Sequence, residues 1–116
     1  MDKTSNFPPS ALPPMDLATF EANAGSVAEL LKALGNKRRL MIMCKLAEHG
    51  EMRVGELADE VGLGQSALSQ HLAKLRAEDL VAFRREAQSL WYRIADPRCE
   101  TLLATLHHLY CEEPET

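Results

Sequence analysis

Between Gly62 and Val81 the chain reads GLGQSALSQHLAKLRAEDLV. Ala67, Leu68, Leu72 and Leu75 recur as one helical stripe, so a helix from about Gln65 to Glu78 must lay that stripe on a core. Upstream, Val54 to Val61 places Leu57, Ala58 and Val61 on one face of a shorter helix. Gly62 and Gly64 bracket Leu63 in the tight turn between the two. Downstream the period changes to two. Val81 and Phe83 alternate with Ala82 and Arg84, then Glu86-Ala87-Gln88-Ser89 breaks the run and Leu90 to Ile94 reads as a second strand. Short helix, glycine turn, longer helix and hairpin together predict a winged helix-turn-helix.

The rest of the chain agrees with a mainly α fold carrying a small β-hairpin wing. Residues 1–15 form a proline-rich segment, with four prolines by Pro14, and are expected to be a mobile arm. Asp16 can cap a first helix on which Phe20, Ala24, Val27, Leu30, Leu31 and Leu34 recur at helical spacing, stopping at Gly35. Asn36 caps a second helix (Leu40, Ile42, Met43, Leu46, Ala47) that stops at Gly50. Met52 and Arg53 can form a short strand. Asp96-Pro97 opens a last helix bearing Leu102, Leu103, Leu106, Leu109 and Tyr110. The expected order is α-α-(β)-α-α-β-β-α over one domain, residues 16–112, with an acidic tail at 113–116.

The longer helix after the glycine turn presents Gln65, Ser66, Ser69, Gln70, His71 and Lys74 away from its leucines. Short amide, hydroxyl and imidazole groups suit base edges in a major groove, where glutamine can pair bidentately with adenine. Lys74 and Arg76 suit backbone phosphates, and Arg84, Arg85 and Gln88 on the hairpin suit a neighbouring groove or strand. A merely solvated helix face would more often carry Glu and Lys. The net charge of −4 argues against bulk polyanion binding. It is unevenly spread, however. Residues 65–98 hold six basic and four acidic side chains, and Asn36 to Leu40 reads NKRRL. Local basic surface on an acidic chain is compatible with salt-sensitive DNA binding.

Other classes find little support. No Ser/His/Asp set, phosphate loop or metal-water site is visible, and no enzyme activity or cofactor is expected. No apolar run approaches the roughly 18 residues of a membrane span, and the first residues lack a basic-then-apolar leader. A cytoplasmic location is therefore expected, with Cys44, Cys99 and Cys111 reduced by default.

The runs VGELA (54–58), QSALSQHLAKLR (65–76) and AQSLWY (87–92) resemble the ArsR/SmtB family of small bacterial repressors, from about Leu17 to Cys111. The resemblance implies a homodimer built on the first and last helices. It also implies binding to a palindromic operator in double-stranded DNA, released when a metal or small oxidant binds. The family's soft-metal sensors carry Cys-x-Cys at the start of the third helix, where this chain has Met52-Arg53-Val54-Gly55. Its zinc sensors carry Asp-x-His and His-x-x-Glu on the last helix, where the same spacing finds Asp96, Arg98, Leu109 and Glu112. Two of four ligands are missing, so no metal site is expected.

The stretches MIMCKL and LHHLYC resemble the thiol-sensing branch of the family. That likeness implies a redox-sensing pair, Cys44 and Cys111, oxidised by reactive sulfur species (persulfide or polysulfide) to a di- or polysulfide bridge. A direct disulfide needs Cα atoms within about 7 Å, and a longer sulfur chain tolerates more. Lys45 and His107 or His108 are expected to favour the thiolates. Cys99, about 18 Å along the same helix from Cys111, is expected to be a non-sensing thiol unless a partner's antiparallel helix brings it close. Two alternatives remain: a metal- or metalloid-responsive repressor using three thiols, and a regulator that displaces another DNA-binding protein.

Overall fold

A computed structural model describes residues 16–111; the arm expected over 1–15 and the tail over 113–116 lie outside them. The element order is α1 (Leu17–Leu34), α2 (Lys37–His49), β1 (Met52–Arg53), α3 (Val54–Val61), α4 (Gln65–Ala77), β2 (Val81–Glu86), β3 (Ser89–Ile94) and α5 (Pro97–Cys111). This is the expected winged helix-turn-helix, with the optional strand present.

The helix starts follow from side-chain caps. The Asp16 carboxylate accepts from the Thr19 N–H at 3.1 Å. Asn36 Oδ1 accepts from the Arg38 and Arg39 N–H groups, both at 3.0 Å, filling two donors that a helix start leaves unpaired. Gly50 ends α2 at φ 82° and Gly62 ends α3 at φ 70°, a backbone region that costs glycine little and other residues more.

The sheet is antiparallel in the order β1-β3-β2. β3 is shared, with Tyr92 opposite Met52 on one side and Phe83 on the other. Ala87 turns the hairpin at φ 55°, a position glycine would hold with less strain.

Ile42, Met43 and Leu46 of α2, Leu57 of α3, and Leu68, Leu72 and Leu75 of α4 are the largest fully buried side chains apart from Cys99. The helix-turn-helix is therefore docked on α2, which lies beneath both of its helices. One expected member of the stripe is not there: Ala67 is exposed. It lies one residue, about 100° of helix, from Leu68, and three leucines suffice to anchor α4. The first half of α1 buries little. Leu17, Phe20 and Leu31, together with Met41, Leu109 and Tyr110, stand exposed on the single chain.

Candidate nucleic-acid interface and thiol pair

α4 offers three strips to its surroundings. Its middle strip, Ser66, Gln70, Ala73 and Ala77 at helical spacing, is exposed. Gln65, Ser66, Ser69 and Gln70 make no side-chain hydrogen bond among the described residues, so their polar atoms are free for a ligand. One flank meets the wing, where the Arg76 guanidinium lies 4.3 Å from the centre of the Phe83 ring. The other flank faces the start of α2. There His71 is half-buried, and its pKa is lowered by burial and then by the charges of Arg39 and Arg38. The ring is held neutral near pH 7, which leaves one nitrogen able to accept a hydrogen bond. Lys74 shares a small cavity of about 200 Å³ with Arg39 and Lys32.

Gln70 is the central long polar side chain of the exposed strip. We expect Gln70→Ala to cost about 1–3 kcal/mol of sequence-specific DNA binding if it reads a base. Titrating specific and random duplexes side by side checks this; an equal loss on both would remove the base-reading role.

On the wing, the sequence names Arg84, Arg85 and Gln88 alike, and the structure separates them. Arg85 and Gln88 are exposed. Arg84 is clamped by Glu51 through Nε at 2.8 Å and Nη2 at 3.0 Å, and by Glu86 at 3.1 Å. The two carboxylates hold its pKa above the ordinary arginine value. Its guanidinium also lies 5.4 Å from the Trp91 ring, which Arg53 approaches at the same distance. A phosphate would have to compete with two carboxylates for Arg84, whereas Arg85 and Arg93 form no ion pair among the described residues. We expect Glu51→Gln to raise DNA affinity by a few-fold at low salt, an effect of the size typical of exposed ion pairs, fading as salt rises. An unchanged affinity across a salt series would show that Arg84 stays a strut of the wing.

Cys44 lies on α2 and Cys111 at the end of α5, near enough for the charge of one to act on the other. Cys44 is half-buried against the core and Cys111 is exposed at the end of α5. Cys44 lines a groove of about 570 Å³ with Met41, Lys45, Leu103 and His107. Burial raises the Cys44 pKa, the nearby Cys111 charge raises it further, and Lys45 only partly offsets them. Lys45 favours the Cys44 thiolate as expected, but burial and Cys111 outweigh it. Lys45 is engaged by Glu60 at 3.2 Å and Glu48 at 3.6 Å, so its charge is largely spent elsewhere. Cys99 is fully buried and its pKa is pushed up to about 11 by burial, then by Asp96, Glu100 and Cys44. That environment makes it a poor nucleophile at neutral pH.

Among the described residues no group of three or more His, Cys, Asp or Glu side chains is placed to hold a metal ion. At the position the zinc sensors would use, Asp96 is taken by Arg98 at 3.0 Å. No described helix is long and apolar enough to cross a membrane.

Sequence reasoning misses the roles of Glu51 and of Arg38 and Arg39 beside His71. The NKRRL run is the available signal for the arginines. Nothing local signals Glu51, which lies 33 residues from its partner.

Residues 36–82, from the cap of α2 to the start of the wing, match the family model described as bacterial regulatory protein, arsR family. The chain is 46% identical over 99 residues to the transcriptional activator HlyU of Vibrio cholerae, covering 85% of this chain and 91% of that protein. The solved structure of reduced HlyU from the same species superimposes with a TM-score of 0.76 at 45% identity, over 81% of this chain and 98% of that one. The transcriptional repressor BigR from Xylella fastidiosa superimposes with a TM-score of 0.78 at 38% identity, over 85% and 100% of the two chains. The chain belongs to the ArsR family of bacterial regulatory proteins, which are DNA-binding transcriptional regulators and not enzymes.

Proposed function

We propose that this protein is a homodimeric repressor that releases a palindromic operator when reactive sulfur species oxidise Cys44 and Cys111. The observation that supports the sensing half is that Cys44 of α2 lines a groove with Leu103 and His107 of α5, the helix that ends at Cys111. The dimer reading rests on the exposed apolar side chains of α1 and α5, Leu17, Phe20, Leu31, Leu109 and Tyr110, which a second copy would cover. Such a dimer sets its two α4 helices about one DNA turn apart.

The chemistry balances with a persulfide as the only oxidant. One thiolate attacks the sulfane sulfur of RSSH, forming a protein persulfide and releasing RSH. The other thiol displaces that terminal sulfur as hydrogen sulfide, giving a disulfide. If both thiols are persulfidated first, the same displacement gives a trisulfide and one molecule of hydrogen sulfide. The bridge would tie α2 to α5. Since α4 docks on α2 and α5 belongs to the dimer face, a small change in their angle would alter the spacing of the two reading heads.

The test is peptide mass spectrometry of the anaerobically reduced protein after treatment with glutathione persulfide. A Cys44–Cys111 cross-link, with or without extra sulfur, is expected. Unlinked thiols, or reaction at Cys99 alone, would overturn the sensing half. A metalloid reading has one supporting observation, since Cys44 is also within electrostatic reach of Cys99. It requires Cys99→Ser to abolish arsenite-induced release, which the persulfide reading does not.

A further inference from the structure

Both edges of α4 matter to how it can sit in DNA. A helix about 10–12 Å across fills a major groove about 12 Å wide, so a sugar–phosphate strand passes along each side of it. On one side the wing supplies Arg85. The other side is formed by the first turn of α2, and it is basic: Lys37, Arg38 and Arg39 follow one another.

The placement of these cations is specific. Arg38 and Arg39 lie close enough to His71 to act on it electrostatically, so they border the outer flank of α4. Arg39 is partly buried and its Nε donates to the Ala33 carbonyl oxygen at 2.7 Å, which fixes it against the end of α1. It shares the small cavity with Lys74 and Lys32, and also with Glu29 and Glu78. Lys37 and Arg38 are exposed. Among the described residues neither forms an ion pair, whereas Lys45, Arg53, Arg84 and Arg98 are all paired with carboxylates. The Arg38 and Arg39 amides are already taken by Asn36, so an anion here would be held by side chains and not by the helix end.

We infer that Lys37 and Arg38, at the start of α2, bind the sugar–phosphate strand on the flank of α4 opposite the wing, with Arg39 and Lys74 lining the edge between them. This rests on the reading of α4 as the groove-filling helix. It makes the DNA footprint two-sided: backbone contacts from α2 and from the wing bracket the base-reading strip and fix the roll of α4 in the groove. These contacts carry no sequence information.

The test is the salt dependence of binding to a random-sequence DNA duplex of about 30 base pairs, a measurement dominated by phosphate contacts. The double variant Lys37→Gln/Arg38→Gln is expected to flatten the slope of log K against log salt by about 0.9 for each phosphate that is no longer neutralised. Arg38→Lys, which keeps the charge, should retain most of the slope. Arg98→Gln, which removes a carboxylate-paired cation of α5, should leave it unchanged. If wild-type protein binds with a steep slope and the double variant matches it, the α2 contact is wrong while the α4 reading stands. If wild-type protein does not bind DNA at all, the α4 reading itself fails. A flattened slope that Arg38→Gln alone and Arg98→Gln reproduce equally would also overturn the inference, because the effect would then follow net charge and not position.

Discussion

Cys44→Ser and Cys111→Ser variants are expected to bind DNA as the wild type does and to ignore persulfide. Neither side chain touches the strip of α4 that faces DNA, so reduced-state affinity should stay within about twofold, as for distant, independent sites. The wild type should lose affinity on oxidation by a factor of about 5–150, the usual range for coupling between two sites. In each variant that factor should collapse to one, because a lone persulfide has no second sulfur to close the bridge. Cys44 is half-buried, so its serine variant places a hydroxyl against apolar neighbours. Cys44→Ala is the matching control for stability. The pH dependence has a definite sign. Burial and Cys111 hold the Cys44 pKa above the ordinary thiol value, so near neutrality its thiolate is scarce. The fraction rises about tenfold per pH unit below that pKa. If Cys44 is the attacking thiol, the rate of bridge formation should climb steeply from pH 7 to 8. A flat profile would rule out Cys44 as the attacking thiol. A response retained by either single variant would end the two-thiol mechanism.

The division between what the sequence discloses and what it hides follows the range of the interactions. Caps are local, so Asp16 and Asn36 are readable from the residues beside them, as are the glycine stops at Gly50 and Gly62. Hydrophobic period is nearly local, and Leu68, Leu72 and Leu75 stand in the core as their spacing requires. Ala67 shows where that reasoning weakens: a small side chain next to the stripe carries too little burial energy to fix which way it faces. The wing cations show a different failure. Arg84 and Arg85 are exposed neighbours of the same chemistry, yet one is clamped by carboxylates and the other forms no ion pair among the described residues. The difference is Glu51, brought across from the α2–β1 junction by the fold. Cys44 is similar. Lys45 beside it in sequence suggests an activated thiolate, but burial outweighs one cation that is already committed to two glutamates.

Leu72→Ala is expected to destabilise the folded state strongly. Leu72 is 1% exposed and sits between Leu68 and Leu75 in the buried stripe. Its removal takes a branched side chain from the contact that docks the reading helix, and the surrounding leucines cannot collapse fully into the space. Comparable buried Leu→Ala changes cost about 2–5 kcal/mol. For a domain of this size that lowers the melting temperature by roughly 8–40 °C, since each kcal/mol is worth about 4–8 °C. The protein concentration must be matched between variants, because a dimer melts at a concentration-dependent temperature. Ala67→Ser is the contrast. Ala67 is a near neighbour on the same helix, also apolar, but exposed, and surface changes of this kind stay within about 0.5 kcal/mol. Thermal melts of the two variants, followed by DNA titration well below both transitions, separate stability from reading. The Leu72 variant should also bind specific DNA more weakly while still folded, because a loosened α4 presents Gln70 and Ser66 with a wider spread of orientations. Equal melting shifts for the two variants would mean that α4 is not held through its leucine stripe, and the placement of its DNA-facing strip would lose its physical basis.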